Sequence, residues 1–284
     1  MTPGFAKSRA ELPWLPYGKC NRVIINAHNF PAATGWTPAN ISTALWLDAN
    51  TATSLYDANT GGSLVASGTR VGRWEDLSGN ARNATQATSG SRPQYLASQI
   101  GGLPGVVCDN VAMRFMNLPN FTSGFTDASI FVVTNPSEAT GSFGLNGAPF
   151  RFGSSSATNH FGSTTTDKWY CSFGITTRPL FSNTIPAIGA NTVVGIVKSS
   201  GTVTPYLDGV SRIVSSGTTN GWSTTPTIGQ NVFTYPYRGI IGEVVMISSA
   251  ADTTTRQKIE GYLAWKWGTV SALDASHPYK SAAP

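Results

Sequence analysis

Residues 204–214 carry the strongest signal of a β-hairpin in this chain: Thr204-Pro205-Tyr206-Leu207-Asp208-Gly209-Val210-Ser211-Arg212-Ile213-Val214. An Asp-Gly pair stands between two apolar runs, and this pair favours the tight turn in which both central residues take a positive φ. The sequence therefore predicts two antiparallel strands joined at Asp208 and Gly209.

The pattern around this hairpin extends over the chain from Ile41 onward. Short apolar runs rich in β-branched residues are bounded by Gly, Ser, Asn and Pro, which is typical of an antiparallel sandwich or barrel. The clearest runs are Ala44–Leu47, Gly105–Val107, Ser129–Val133, Thr192–Val197 and Gly239–Ile247. We expect an all-β fold with no domain boundary after about residue 41.

One helix is predicted near the C-terminus. Asp252 can accept hydrogen bonds from the first turn, and Gly268 suits the left-handed position that follows a helix. The apolar residues at helical spacing between them are Ile259, Tyr262, Leu263 and Trp267. We expect this helix to pack one aromatic face on the sandwich.

Residues 1–41 differ from the rest of the chain. Five prolines interrupt them, so this stretch cannot form a central strand or a long helix around its one apolar run, Val23–Ile25. We expect an extended N-terminal arm over residues 1–41 and a single sandwich domain over residues 42–284. The arm either docks on a partner or folds back on its own domain, and the sequence leaves both interpretations open. The prolines are Pro3, Pro13, Pro16, Pro31 and Pro38.

Composition and charge exclude several classes of protein. Hydrophobic residues make up 40% of the 284 residues and charged residues 12%, so the chain is not a disordered tail. The net charge of +5 is spread thinly, with a local excess of cations only in the arm, so we expect no nucleic-acid partner. No apolar run is long enough to span a membrane, and the first residues lack the apolar region of a secretory signal. We expect neither membrane insertion nor Sec-dependent export. The arm's charges are Lys7, Arg9, Lys19 and Arg22 against Glu11.

The cysteines and histidines form no recognisable reactive pattern. Cys20, Cys108 and Cys171 are odd in number and far apart, which favours buried free thiols over disulfides or a zinc site. No Gly-x-Ser-x-Gly motif accompanies a histidine, so a serine nucleophile is not expected. The three histidines are His28, His160 and His277.

Four motifs in a fixed order carry a resemblance to a known family. They are Ala44-Leu45-Trp46-Leu47-Asp48-Ala49; Trp74-Glu75-Asp76-Leu77-Ser78-Gly79-Asn80 followed by Asn83–Gln86; Tyr206–Gly209; and Ile228-Gly229 leading to Gly239–Val244. In this order they resemble the concanavalin A-like (laminin-G-like) jelly-roll family. The segments 256–268 and 276–280 resemble the ending of the version common in bacteriophage virion proteins. The resemblance covers residues 42–284 and implies a two-sheet jelly-roll sandwich.

Glycoside hydrolases of this fold resemble one another in a strand with three carboxylates at alternating spacing, because acid and nucleophile stand about 5–5.5 Å apart in retaining enzymes. The nearest candidate here, Glu243, has no second acid two or four residues away. We therefore expect no catalytic residues. Glu243 is expected to have a structural role, as a cap on a neighbouring loop.

Two oxygen-rich loops raise the question of calcium. Residues 57–62 begin like an EF-hand loop, but the twelfth position is Gly68 where a bidentate Glu is needed. Residues 76–80 could hold a cation. The same residues are also typical of an Asx-turn in which Gly79 takes a positive φ, and we favour the turn. No cofactor is expected, and whether a calcium ion binds stays open.

Aromatic residues in polar loops indicate surface recognition. The stretches 220–223 and 233–237 combine Trp, Tyr and Phe with hydroxyl and amide groups, which suits contact with a glycan and contact with a protein equally. With the resemblance, this predicts a non-enzymatic structural protein of a phage virion, either a capsid decoration or a tail or fibre accessory protein. The arm would contact other virion proteins, the chain would form homo-oligomers in the particle, and a host-surface glycan is a candidate ligand.

The expected location is the virion, assembled in the host cytoplasm and exposed outside the cell after lysis. Two alternatives remain. One is a carbohydrate-active enzyme, a glycoside hydrolase of the same fold, and the other is a secreted bacterial lectin.

Overall fold

The computed structural model describes residues 35–109, 113–137, 148–152, 160–163, 169–171, 189–212, 215–216, 225–230 and 237–284. Residues 1–34, and with them most of the predicted arm, lie outside the described residues. Across the described ranges, no helix combines the length and the apolar character needed to cross a bilayer.

The described ranges contain seventeen strands, one α-helix and several single turns of 3₁₀-helix. The strands are β1 Leu45–Asp48, β2 Leu55–Tyr56, β3 Arg73–Trp74, β4 Ala84–Thr85, β5 Gln94–Ile100, β6 Leu103–Cys108, β7 Met116–Asn117, β8 Ala128–Pro136, β9 Phe150–Arg151, β10 His160–Ser163, β11 Trp169–Cys171, β12 Thr192–Ser199, β13 Thr202–Leu207, β14 Val210–Ser211, β15 Ser215–Ser216, β16 Thr227–Ile228 and β17 Gly239–Ile247. The helix α1 spans Thr253–Lys266, and 3₁₀ turns lie at Pro38–Asn40, Ala52–Ser54, Ser89–Ser91 and Val270–Ala272.

The strands form two antiparallel sheets, as the sequence predicts. The first sheet has the order β14-β13-β12-β8-β17-β6-β5, with β1 paired to β17 and β15 paired to β13. The second has the order β11-β10-β9-β16-β7-β4-β3-β2. The fold is an all-β sandwich with one helix near the C-terminus.

The central strands of the first sheet are buried on both faces. Nearly every side chain of β8, β12 and β17 is buried, although successive side chains of a strand point to opposite faces. The second sheet covers one face, and α1 lies against β8 and β12 on the other. This double burial explains why these strands are the uninterrupted apolar runs that the sequence displays.

The second sheet shows a cleaner alternation. Its strands are short, and in six of them one residue points into the core and is fully buried. The inward row comprises Leu55, Trp74, Ala84, Met116, Ile228 and Phe150. Their strand neighbours on the outer face are mainly polar, as expected for an antiparallel sheet with one solvated side.

The predicted hairpin is present. Strands β13 and β14 pair with Leu207 opposite Val210, and Asp208 and Gly209 take φ values of 50° and 80°. The Asp208 carboxylate also accepts a hydrogen bond from the backbone of Val193, so the turn is fixed to β12 as well. Burial is the main cause that raises the pKa of Asp208.

The predicted helix and both of its caps are confirmed. Asp252 accepts a hydrogen bond from the backbone N–H of Thr255 at 2.7 Å. At the other end Gly268 has a φ of 70°, and the N–H of Thr269 reaches back to the carbonyl of Ala264 in a Schellman arrangement. The four predicted apolar residues of the helix are buried.

Residues 35–41 pack on the sandwich. Trp36 and Ile41 lie against the core, Pro38 is buried, and Thr37 and Asn40 form a capping box around the first 3₁₀ turn. These residues, the last part of the predicted arm, therefore lie against the sandwich.

Candidate functional site

Strands β1 and β17 place two carboxylates side by side. Asp48 is the direct cross-strand partner of Glu243, and the two residues are 4% and 0% exposed. Residues opposed in this way have Cβ atoms about 4.5–5.5 Å apart. A pattern within the strand of Glu243 does not reveal this pair, because Asp48 lies on a different strand.

Glu243 accepts four hydrogen bonds. Trp46 Nε1 and Tyr262 Oη donate to its Oε1 at 2.7 and 3.1 Å. Lys266 Nζ and Trp267 Nε1 donate to its Oε2, both at 2.7 Å. A carboxylate offers about four lone-pair sites, so the acceptor capacity of Glu243 is filled. The predicted structural role is present, but the predicted partner was wrong, because Glu243 binds β1 and α1 rather than capping a loop.

Lys266 joins the two carboxylates. Its Nζ lies 2.7 Å from Glu243 Oε2 and 2.8 Å from Asp48 Oδ2. Asp48 also accepts from the backbone N–H of Asn50 at 2.9 Å and from the Thr51 hydroxyl at 2.7 Å. Two acids and one base therefore share a buried site, which we call the helix–sheet cluster together with Trp46, Tyr262 and Trp267.

The cluster shifts the proton affinity of its members. Burial raises the pKa of the Glu243 carboxyl, and the Lys266 ammonium opposes that shift. Burial alone would lower the pKa of Lys266, but the carboxylates of Glu243 and Asp48 outweigh it, so the pKa of Lys266 is raised. Burial, followed by the Glu243 carboxylate, raises the pKa of the Tyr262 phenol. The two carboxylates therefore stabilise the charged form of Lys266.

Helix periodicity and one glycine bring the cluster together. Tyr262 and Lys266 are four residues apart on α1 and face the same strand. The pairing of β17 with β8 shifts register at Gly242. A Cβ atom at Gly242 would come within 2.8 Å of the Trp267 ring, so only glycine allows the ring this close to the sheet. Trp36 completes the cover with its ring centroid 5.8 Å from that of Tyr262, in an edge-to-face arrangement.

The loop after β3 covers the outer edge of β1. Asp76 Oδ1 accepts from the backbone N–H of Trp46 at 2.9 Å, and the Trp46 carbonyl accepts from the N–H of Leu77 at 2.8 Å. Asn80 and Arg82 donate to the carbonyl of Ala44. These bonds satisfy backbone groups that a strand edge otherwise leaves open.

This loop forms the predicted Asx-turn. Asp76 Oδ1 accepts from the N–H of Ser78 at 2.9 Å, its Oδ2 accepts from the Ser78 hydroxyl and the Arg82 N–H, and Gly79 has a φ of 84°. In the other oxygen-rich loop, at residues 57–62, Asp57 Oδ1 accepts from the N–H of Ser63 at 2.8 Å. Within the described ranges, no group of three or more His, Cys, Asp or Glu residues is arranged to hold a metal ion.

A second buried ionic group fixes the C-terminal tail on α1. Arg256 and His277 both contact Glu260 Oε2, at 2.5 and 3.3 Å. The Tyr279 ring lies against Gly261, and the Tyr279 carbonyl accepts from Trp265 Nε1 at 2.8 Å. Of the three histidines, His277 is the one whose surroundings the structure describes. Its side chain is buried and contacts Glu260. The residues that carry the resemblance in the helix and tail are the residues that hold these two elements together.

The predicted surface residues have mixed outcomes. Tyr237 is buried, with its hydroxyl 2.6 Å from that of Thr134, so its assignment to a contact surface was wrong. The rest of residues 220–223 and 233–237 lies outside the described residues. Cys108 is the predicted buried free thiol, and burial raises its pKa to about 12. Cys20, His28 and the side chains of Cys171 and His160 lie outside the described residues.

Comparison with known proteins identifies the fold. No family model matches the chain, and no curated protein matches it. Among solved structures, the sialidase of Trypanosoma rangeli in complex with the inhibitor DANA has a TM-score of 0.50 and 12% identity over 80% of this chain and 35% of the sialidase. Domain 4 of AbnA, a GH43 extracellular arabinanase from Geobacillus stearothermophilus in complex with arabinotriose, has a TM-score of 0.48 and 16% identity over 75% of this chain and 96% of that domain. The receptor-binding domain of botulinum neurotoxin type G has a TM-score of 0.48 and 12% identity over 76% and 50% of the two chains.

This chain spans about a third of the sialidase that it resembles. At such low identity the likeness concerns the fold alone. The likeness shows a β-sandwich fold.

Proposed function

We propose that this protein is a non-enzymatic structural component of a phage virion, which displays its β-sandwich on the particle and attaches through its N-terminal segment. The observation that carries the non-enzymatic part is the state of Glu243. This acid is fully buried, and its acceptor sites are filled by two indoles, a phenol and an ammonium group. A general acid must reach a substrate oxygen. The Glu243 carboxylate is bound by its own helix and does not reach one.

The contacts of the helix and tail support the virion part. The sequence resembles phage virion proteins most specifically in residues 256–268 and 276–280. These residues form mutual contacts, namely the ionic group at Glu260, the ring of Tyr279 on Gly261 and the bond from Trp265 to the tail. Because the resembling residues contact one another, the resemblance extends to the way the tail packs on the helix. This supports the proposed assignment to phage virion proteins.

The attachment role belongs to residues 1–34 in this proposal. Residues 35–41 pack on the sandwich, so the partner-binding part of the arm must precede them. Four prolines and an excess of cations suit a segment that gains its order on a partner's surface. The partners would be other virion proteins and further copies of this chain.

Labelling of intact particles tests the location. An epitope tag placed after Pro284 is exposed in this proposal, because the C-terminal residues lie at the surface. Purified particles should bind the antibody at a regular position in electron micrographs, on the capsid or on the tail. Particles that lack the tagged chain while the host lysate contains it would contradict the proposal.

A turnover assay separates the proposal from its main alternative, a glycoside hydrolase. The full chain should release no reducing ends from β-glucans or bacterial surface polysaccharides. Hydrolysis that Glu243→Gln abolishes would establish the enzyme instead.

Glycan contact is the finer part of the proposal. A lectin-like sandwich with polar side chains on the outer face of its second sheet supports it, and the candidate ligand is a host-surface polysaccharide. Binding to host cells that deglycosylation removes is the expected result, whereas equal binding to treated cells would indicate a protein receptor.

A further inference from the structure

The helix–sheet cluster contains the reactants for an internal cross-link. Lys266 Nζ stands 2.8 Å from Asp48 Oδ2, and Glu243 Oε2 stands 2.7 Å from the same nitrogen. An amine, the carboxyl group that it would acylate and a second carboxyl group that can carry protons are thus in contact before any rearrangement. We propose that Lys266 and Asp48 become joined by an amide bond, with Glu243 carrying the protons.

The surroundings of the three groups favour such a reaction over a permanent ion pair. The side chains of Lys266, Asp48 and Glu243 are 16%, 6% and 0% exposed. Trp46, Tyr262 and Trp267 cover them, and Trp36 lies over Tyr262. Buried charges incur a large desolvation penalty, and formation of the amide removes two of the three charges from the cluster. Holding the reacting groups in place also removes most of the entropic part of the barrier.

The step balances without any co-reactant. The Lys266 ammonium first gives one proton to Glu243 at the 2.7 Å contact. Burial favours this transfer, because it raises the pKa of the carboxyl and acts to lower that of the ammonium, whereas the attraction between the two charges opposes it. The nitrogen lone pair then attacks Cγ of Asp48 and forms the C–N bond, while Asp48 Oδ1 keeps the hydrogen bond from the N–H of Asn50 as it gains negative charge. Glu243 passes its proton to Oδ2, takes a second proton from the nitrogen and passes that on as well. The bond from Cγ to Oδ2 breaks, and one water molecule leaves.

The products fit the same site. Glu243 returns to its starting carboxylate form and keeps the hydrogen bonds from Trp46, Tyr262 and Trp267, while the new amide N–H replaces the ammonium as donor. The bond would tie β1, which follows directly after residues 35–41, to the last turn of α1. A load applied to the N-terminal segment would then reach the helix through a covalent link.

Mass spectrometry of the purified full chain is the direct test. The intact protein should be lighter than its sequence by the mass of one water molecule, and proteolysis should yield a branched peptide that joins the segment containing Asp48 to the segment containing Lys266. Recovery of both segments as linear peptides only, with no mass loss, would overturn the proposal.

Three variants make the assignment specific. Lys266→Arg and Glu243→Gln should both restore the full mass, and Glu243→Gln should do so while circular dichroism still reports the native sheet. Lys198→Arg is the matched control, because Lys198 is another buried lysine near an aspartate, with 3.8 Å between its Nζ and Asp127 Oδ1. The control should keep the mass loss. A loss that persists in Lys266→Arg would point to a succinimide, for example at Asp208-Gly209, and would overturn the proposal, as would a branched peptide in Glu243→Gln.

Discussion

At the scale of single residues, Glu243 connects more of the molecule than any other side chain described above. Its carboxylate binds one residue of β1 and three residues at the end of α1. The first sheet and its helix therefore depend on one buried anion, and the stability of the protein should be sensitive to its removal.

Replacement of Glu243 by alanine should lower the free energy of unfolding by about 3–5 kcal/mol, because it leaves the Lys266 ammonium buried beside unpartnered indole N–H groups. Urea unfolding followed by tryptophan fluorescence measures the change. Glu75→Ala is the matched control, since Glu75 forms a partly exposed ion pair with Arg73, and its loss should cost about 0–1 kcal/mol. Similar costs for the two variants would contradict the role assigned to Glu243.

Cys108 predicts a dependence of stability on alkaline pH. Its pKa rises from an unfolded value of about 8.5 to about 12 in the folded protein. Above pH 8.5 the unfolded state ionises and the folded state does not, so this thiol should reduce stability by about 1.4 kcal/mol per pH unit up to its folded pKa. The comparison is between the full chain and Cys108→Ala. The difference between their unfolding free energies should shift steadily in favour of the variant as pH rises, and a constant difference would show that the thiol is not buried.

The sequence allows some of these residues to be predicted and not others. The Asx-turn at Asp76 is predictable because the carboxylate and its partner Ser78 are two residues apart. The partners of Glu243 are not, because Asp48 and Trp46 reach it only after β1 pairs with β17. Long-range register determines which polar side chains meet, and no local pattern contains that information.

At the scale of elements, the contact between α1 and the tail reverses an ordinary expectation. A glycine inside a helix is usually improved by alanine, by about 1 kcal/mol. At Gly261 the added Cβ would stand 2.5 Å from Cβ of Tyr279. Packing of the tail therefore requires glycine at this position, whereas the helix by itself would be more stable with alanine.

Gly261→Ala should accordingly destabilise the protein and expose the tail to proteolysis. In a Tyr279→Gly background the same substitution should instead stabilise the helix by about 1 kcal/mol, because Cβ and the ring of Tyr279, which the added Cβ would clash with, are both gone. Urea unfolding of the four proteins in this cycle gives the coupling. Additive effects would indicate that the Tyr279 ring does not pack on the helix.

Elements differ in how far the sequence predicts them. The long strands of the first sheet are recognisable because burial on both faces makes them continuous apolar runs. The strands β2, β3, β4, β7, β9 and β16 have two residues each, and two residues are too few to display an alternation. These strands exist because their inward side chains complete the core between the sheets.

At the scale of the whole molecule, the first described residues determine where a stable domain begins. Trp36 packs on Tyr262, which in turn binds Glu243. A fragment of residues 35–284 should therefore keep the stability of the full chain, whereas a fragment of residues 42–284 should lose about 2 kcal/mol with the Trp36 contacts. Thermal melts of the two fragments measure the difference. Equal melting temperatures would show that residues 35–41 contribute nothing, and unfolding of both would place part of the core within residues 1–34.

The loop at Asp76 also has a consequence for how copies of this protein tolerate crowding. A strand with open amide and carbonyl groups recruits strands from other molecules, and the hazard grows wherever many copies are held close together. Asp76 and its neighbours occupy the backbone amide and carbonyl groups on the free side of β1, so strands of other molecules cannot pair there. In solutions of Asp76→Ala, light scattering should increase more strongly with concentration and time than in solutions of the unchanged protein. The protection that Asp76 gives would let the protein be packed densely without forming fibrils.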